Sequence, residues 1–224
     1  MEPTIYKPSI YNGAGIYKIG GGGGGGGVAC IRCNKNATSS NYISVPIDAK
    51  NKGYTYELGV NLSEDTGNNN GSIFEGIGNQ NYSEIAMYTT SNGFNVVSKL
   101  NMVGDINLSG KKFNYQDVSF YISGNNAICK SKDLQGNEVS YSGSITVDCY
   151  NIHTINLFKV KSRYNMQGIQ IYYLRVKYND DLILDLVPDE QNSVPGFTDN
   201  VSGNFYGPNV NDGTFEAVKP RAPL

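Results

Sequence analysis

Few side chains in this sequence are equipped for chemistry, and they are poorly grouped. Four cysteines occur, Cys30, Cys33, Cys129 and Cys149. Cys30 and Cys33 form a C-x-x-C pair, but a zinc site needs a second close pair to complete its tetrahedron. Cys129 and Cys149 are too far apart to supply it, and the βαβ setting of a thioredoxin-like motif is missing. Unligated thiols in or near a core are expected. The single histidine, His153, removes most His-based metal and triad chemistry; in CYNIHTINLF it reads as a structural residue on a strand. Sugar hydrolysis needs two carboxyl groups across a cleft, and no strand here alternates acids in the E-x-D-x-E manner. Asp181 and Asp185 flank Leu182, Ile183 and Leu184, which read as packing. Spaced four apart, the two acids are expected on one side, in a solvated or structural role. Lys159, Lys161 and Arg163 share one face of LFKVKSR and read as a wet strand face, with acidic glycan as the functional alternative. Calcium is the metal that the Asp/Asn-rich stretches EDTGNNN (64–70) and NDGTFE (211–216) would take, but neither has EF-hand spacing. No catalytic group, metal or cofactor is expected.

The glycine run Gly20, Gly21, Gly22, Gly23, Gly24, Gly25, Gly26 and Gly27 formally contains G-x-G-x-x-G, as any glycine tract does. A dinucleotide fingerprint also needs a preceding strand, a following helix and an acid about 20 residues on. VACIRCNKNATSS begins no such helix, and no Gly-Lys-Ser/Thr follows. Phosphate cradling is therefore set aside, and the run reads as a joint.

The elements that would hold any site are strands. With 224 residues and a net charge of −2, the chain is one large domain, or one domain plus an arm. A body of this size buries roughly 70% of its unfolded surface and needs no disulfides. The low, balanced charge argues against nucleic acid or an anionic membrane as partner. No apolar run approaches the roughly 20 residues of a membrane span, so no membrane insertion is expected. The opening MEPTIYKPS lacks a secretory profile, so synthesis in a cytoplasm is expected. The N-x-S/T triplets at Asn36, Asn61, Asn70, Asn81, Asn107 and Asn200 then reflect turn-rich composition.

YTYELGVNLS alternates cleanly, with Tyr54, Tyr56, Leu58, Val60 and Leu62 on one face and Thr55, Glu57, Asn61 and Ser63 on the other. That is the period of a half-buried strand. GFNVVSKLNM repeats it with Phe94, Val96, Leu100 and Met102, VSFYIS with Val118, Phe120 and Ile122, and SITVDC with Ile145, Val147 and Cys149. Asn92-Gly93 marks a tight hairpin, and SGNN (123–126) and YNDD (178–181) mark further turns. Many short alternating strands predict a sandwich or barrel, and no amphipathic helix of three turns is visible.

Residues 1–19 differ. Ile-Tyr recurs as Ile5-Tyr6, Ile10-Tyr11 and Ile16-Tyr17, broken by Pro3, Pro8, Gly13 and Gly15. Such a peptide cannot bury six large side chains on itself. Extended peptides dock by main-chain hydrogen bonds while alternate side chains fill pockets, and tyrosine suits this with an apolar ring and a polar tip. Three parts are expected: an anchoring arm (1–19), a polyglycine linker (20–27) and a β-sandwich (28–224). The linker spans about 15 Å as a coil and at most about 27 Å when extended.

The C-terminal stretch GIQIYYLRVKYNDDLILDLVPDEQNSVPGFTDNVSGNFYGPNVNDGTFEA resembles the closing segment of concanavalin A-like, laminin-G-like domains. Such domains occur in gut-bacterial surface proteins and in fibres of their phages, crAss-like phages included. The matching pattern is a strand (Ile169 to Lys177), a turn (Tyr178 to Asp181) and a second strand ending at a proline (Leu182 to Pro188). It continues with a Gly-aromatic-Asp step (Gly196, Phe197, Asp199), a Gly-x-Phe-Tyr step (Gly203, Phe205, Tyr206) and a closing Gly213, Thr214, Phe215. INLFKV (155–160) matches the core strand before it. The resemblance implies an all-β, concanavalin A-like jelly-roll sandwich, with Phe197, Phe205 and Phe215 plugging one end of the core. It specifies no ligand site, since the fold hosts lectins, hydrolases and inert modules alike, and bound sugars in such domains are held by loops. The arm and glycine tract are also similar to openings of phage virion proteins.

Together these imply a structural virion protein of a bacteriophage, a short head fibre or decoration, made in the host bacterial cytoplasm and placed on the virion surface. The arm would contact capsid or tail proteins, a homotrimer is expected, and host-surface glycan is the expected adsorption target. The alternative is a free carbohydrate-binding module or glycan hydrolase of a gut bacterium.

Overall fold

The computed structural model describes residues 27–34, 40–50, 53–62, 72–78, 83–90, 93–98, 101–107, 118–123, 126–132, 137–144, 151–159 and 167–219. The arm residues Ile5, Tyr6, Ile10, Tyr11, Ile16 and Tyr17, the joint from Gly20 to Gly26, the stretch 64–71, the expected strand 145–149, and Lys161 and Arg163 lie outside the described residues.

The described residues form strands and turns, with no helix among them. In chain order the strands are β1 (Cys30–Cys33), β2 (Ile43–Ala49), β3 (Tyr54–Leu62), β4 (Ser72–Gly78), β5 (Ser83–Thr90), β6 (Gly93–Ser98), β7 (Asn101–Asn107) and β8 (Val118–Ser123). There follow β9 (Asn126–Lys132), β10 (Glu138–Ser144), β11 (Ile152–Leu157), β12 (Ile169–Tyr178), β13 (Asp181–Gln191), β14 (Val194–Asp199), β15 (Phe205–Tyr206) and β16 (Phe215–Val218). The larger sheet runs β10-β9-β8-β3-β12-β13-β14-β15, with β1 beside β12 and β16 beside β1; the smaller runs β2-β11-β4-β5-β6-β7. Every pairing is antiparallel. This is the all-β jelly-roll sandwich that the alternation and the C-terminal pattern implied.

One core joins the two sheets. Tyr54, Tyr56, Leu58 and Val60 of β3 meet Ile43 and Val45 of β2, Phe74 of β4, Met87 of β5 and Ile155 and Leu157 of β11 in a single apolar cluster. Each fully buried aliphatic side chain contributes about 1.5–3 kcal/mol, so the period-two stripe of β3 fixes its register firmly. Phe120 of β8 takes the register position opposite buried Tyr56.

The expected hairpins close where turn residues stand. Thr90 pairs with Gly93 and Ser123 with Asn126, each pair enclosing two residues. Tyr178 pairs with Asp181, and both residues between them have positive φ, Asn179 at 46° and Asp180 at 73°. That geometry belongs to the primed hairpin turns, where Asn and Asp are tolerated best.

Several expectations about strand ends are corrected. GFNVVSKLNM is not one strand: Ser98 pairs with Asn101, so the chain reverses, and Met102 pairs with Val97 rather than continuing the Phe94–Val96 row. The strand in INLFKV ends at Leu157, because Phe158 turns to φ 62° and buries its ring 4.9 Å from that of Phe215. The strand after the YNDD turn passes through Pro188 to Gln191. Pairing with β12 ends at Leu186, so the missing N–H of Pro188 interrupts no ladder on that side. Gly196, Phe197 and Asp199 belong to strand β14, paired with β13 throughout. Phe197 and Phe215 are buried in the core, but Phe205 is half-buried and lies against Gly196 instead.

Candidate ligand-binding face

The outward face of the larger sheet carries the best-built group of polar and aromatic side chains among the described residues. Its centre is an irregularity in β12. Ile171 pairs with Val60 and Tyr173 with Gly59, so Tyr172 is an extra residue, a β-bulge. Bulges re-aim side chains. Here the core positions change from Ile169 and Ile171 to Leu174 and Val176, and both tyrosines between them are left half-buried. Tyr173 lies across Gly59, where a Cβ would stand 2.4 Å from its Cε1. Only glycine gives the ring that close approach to the β3 backbone. The Arg175 guanidinium carbon sits 4.8 Å from the centre of the same ring. The Tyr172 hydroxyl donates to Gln170 Oε1 at 2.9 Å.

Charges around the tyrosines are paired. Arg175 Nε donates to Asp185 Oδ1 at 2.9 Å, and Lys177 Nζ to Glu57 Oε1 at 2.7 Å. Arg32 pairs with Glu216, whose Oε2 also accepts from Asn34 Nδ2 at 2.8 Å. The register explains the row. Lys130 lies opposite Ser119, Ser119 opposite Glu57, Glu57 opposite Arg175, and Arg175 opposite Asp185. Cross-strand opposite charges of this kind contribute roughly 0.2–1 kcal/mol each.

Asp185 and Asp181 do not share a side, contrary to the four-residue spacing. Val176 pairs with Leu184 but Lys177 with Leu182, so Ile183 is an extra residue. Asp185 joins the outward row with Arg175, while Asp181 pairs with Tyr178 at the turn. The same slip leaves Leu182, expected to pack, 41% exposed while Leu184 is buried. Asp185 also accepts from Asn200 Nδ2 at 3.0 Å, which ties the row to the 199–204 turn.

That turn is organised by Asp199, 2% exposed. Its carboxylate accepts from the N–H groups of Asp185 (2.9 Å), Val201 (3.0 Å) and Ser202 (3.1 Å) and from Ser202 Oγ (2.6 Å). Burial alone would raise its pKa, but these hydrogen bonds outweigh it and hold the carboxyl below its ordinary value. Gly203 closes the turn at φ 77°, its N–H donating to the Asp199 carbonyl at 2.7 Å. Asp212 in NDGTFE accepts from the Thr214 N–H at 3.0 Å and from Asn41 Nδ2 at 3.4 Å. Among the described residues, no group of three or more His, Cys, Asp or Glu side chains is placed to hold a metal ion.

Neither Cys30 nor Cys33 is in a disulfide, and both are buried. Three residues apart on a strand, they point to opposite faces. Cys33 enters the core cluster. Cys30 lies beneath the outward face, donates to Gln170 Oε1 at 3.6 Å, and has its pKa pushed up to about 12, chiefly by burial. His153 is exposed on β11, with Nδ1 3.0 Å from Thr154 Oγ1. Lys159 stands 3.9 Å over the Tyr42 ring.

The smaller sheet is different. Its outward row passes through Asn156, Glu75 and Ala86, yet these are only 6%, 1% and 4% exposed. Asn156 Nδ2 donates to Glu75 Oε1 at 3.1 Å. The centre of that face is closed, whereas the tyrosines and ion pairs of the larger sheet reach solvent. Neither Gly59, the tyrosine pair nor Glu75 stood out among the sequence candidates. The readable signal for the tyrosine pair was the slipped alternation in IQIYYLRV.

No protein-family model matches the chain, and no curated protein matches it significantly. Among solved structures, a galectin of Caenorhabditis elegans aligns with 64% of this chain and 94% of its own, at 12% identity and a TM-score of 0.41. A peptidase of the eqolisin family, SCP-B, solved in complex with a tripeptide, aligns over 77% of this chain and 98% of its own, at 11% identity and a TM-score of 0.37. At this distance neither likeness bears on ligand or activity.

Proposed function

We propose that this chain is a structural protein of a bacteriophage virion, a short head fibre or capsid decoration. Its arm docks on a capsid or tail protein through Ile5, Tyr6, Ile10, Tyr11, Ile16 and Tyr17. Its glycine run is the joint, and its sandwich stands on the virion surface as part of a homotrimer and adsorbs to host-surface glycan. The chain is made in the host bacterial cytoplasm, acts without catalysis, and binds neither nucleic acid nor the membrane interior.

The observation that carries this reading is the seat of β1, the first strand after the glycines. It is inserted between β12 and β16 rather than left on an edge. Ala29 N–H donates to the Val218 carbonyl at 2.7 Å, Asn34 N–H to Thr214 at 2.8 Å, and Gly168 N–H to Cys33 at 2.8 Å. A tether attached to a strand paired on both sides transmits load into the whole sheet, as an anchored display domain requires. The repeated Ile-Tyr pairs supply the adhesive end, and the glycines supply reach.

The test compares full-length protein with a chain lacking residues 1–19 in purified particles. Loss of the shortened protein from particles, with its sandwich folded, supports anchoring by the arm. Unchanged incorporation contradicts it. Glycan binding by a protein that never enters particles would favour a free carbohydrate-binding module.

A further inference from the structure

We infer that the Tyr172–Tyr173 bulge is a carbohydrate subsite that takes a neutral pyranose, so that adsorption uses the open face of the larger sheet rather than the loops. This rests on the glycan-adsorbing part of the function proposed above and assigns it a place and a ligand class.

Three features point to that ligand. The first is a held aromatic surface. Tyr173 is seated across Gly59 with Arg175 at its ring, and Tyr172 is steadied by Gln170. A pyranose has an apolar C–H face, and a ring fixed before binding loses little freedom when that face settles on it.

The second is charge. Arg175–Asp185, Lys177–Glu57 and Arg32–Glu216 cancel pairwise. A face so balanced offers no net attraction to a polyanion such as an acidic glycan or nucleic acid. Its guanidinium donors and carboxylate acceptors are interleaved, as recognition of sugar hydroxyls, which both donate and accept, requires. Ion pairing also keeps these groups in place before the ligand arrives.

The third is access. On the smaller sheet the outward row is closed at Asn156, Glu75 and Ala86, while Arg175 and Lys177 on the larger sheet keep 38% and 33% of their side-chain surface in solvent.

The experiment uses full-length protein on an array of neutral and acidic bacterial glycans, followed by saturation-transfer NMR on the best neutral binder. The variants are Tyr173→Ala, Tyr172→Ala and Tyr173→Phe, each checked for native folding by circular dichroism. Wild type is expected to bind neutral glycans, with saturation strongest on the sugar C–H protons. Removing the Tyr173 ring should weaken binding on the order of tenfold or more, the loss typical of a central aromatic contact. Tyr173→Phe keeps the ring and should stay within a few-fold of wild type. If the alanine variants misfold, Tyr173→Leu, which keeps apolar bulk without the aromatic face, should show the loss expected of Tyr173→Ala, and wild-type binding by it overturns the site. Glycan binding indifferent to both tyrosines, or confined to acidic glycans, overturns this site and leaves glycan adsorption standing. No glycan binding by wild type overturns both, whereas anchoring by the arm is judged separately from particle incorporation. A face occupied by a second copy would appear as concentration-dependent association lost in Tyr173→Ala without any glycan signal, and would also overturn the site.

Discussion

Replacing Gly59 with alanine should show whether the Tyr173 ring is truly seated on β3. The new Cβ would stand 2.4 Å from Tyr173 Cε1 and 2.6 Å from Cδ1. Non-bonded carbons rest about 3.5–4.0 Å apart, so the ring must retreat by roughly 1 Å. The ring is half-buried and can swing towards solvent, which puts the strain near the low end of the about 1–3 kcal/mol typical of overpacking. Its retreat also loosens the Arg175 contact, worth about 0.5–1 kcal/mol on an exposed face. Against these, alanine restricts the unfolded chain, a gain of about 0.4–1 kcal/mol. The net expectation is a destabilisation of about 0.5–1.5 kcal/mol. The assay is urea unfolding of wild type, Gly59→Ala, Tyr173→Ala and the double variant. Without the ring there is nothing to clash with, so Gly59→Ala should become neutral or stabilising in the Tyr173→Ala background. The cycle should return a coupling of about 1 kcal/mol or more. Strictly additive effects would refute the seating of Tyr173 on Gly59.

Three further expectations follow from the same geometry. Asp199→Asn removes a carboxylate that gathers three backbone N–H groups and a hydroxyl, and should cost about 2–4 kcal/mol in denaturant unfolding. Because the folded pKa of Asp199 is depressed, its contribution is complete above the unfolded value near 4 and fades as pH falls through the folded value. Acid titration of stability should therefore be flatter in the variant. Cys30, with its thiol pushed up to about 12, and Cys33 should resist a thiol-reactive dye at pH 8 and react only after unfolding; rapid native labelling of either would contradict their burial. Gly196→Ala places a Cβ 2.3 Å from the Tyr206 carbonyl oxygen; backbone cannot swing aside, so a loss of about 3 kcal/mol or more is expected by thermal or urea unfolding.

The sandwich was legible because its cause is local and repetitive. Tyr54, Tyr56, Leu58 and Val60 alternate with polar residues, and burial follows that alternation. The hairpin closures at Thr90–Gly93, Ser123–Asn126 and Tyr178–Asp181 were marked in the sequence by Gly, Asn and Asp, although Gly93 itself opens β6. What was missed came from slips of one residue, which reverse every facing beyond them. The extra residue Ile183 separated Asp181 from Asp185 and turned Leu182 outward, and the extra residue Tyr172 made the aromatic pair. A break in alternation marks such a slip in the sequence, as between Ile171 and Leu174, but not which strand it faces. The placing of Tyr173 on Gly59 depends on a partner more than 100 residues away, which only the folded register supplies. The Asp199 cluster was visible only as a Gly-aromatic-Asp step, because its donors come from the neighbouring strand β13 and from the turn that follows Asp199.

Attachment through residues 1–19 is tested most directly by site-specific photo-crosslinking in assembled particles. A photoreactive phenylalanine derivative replaces Tyr11 in the arm or, as a comparison, the exposed Val201 of the sandwich. Tyr11 should yield an adduct with a capsid or tail protein, and Val201 should not. Adducts to the particle through Val201, with none through Tyr11, would contradict anchoring by the arm.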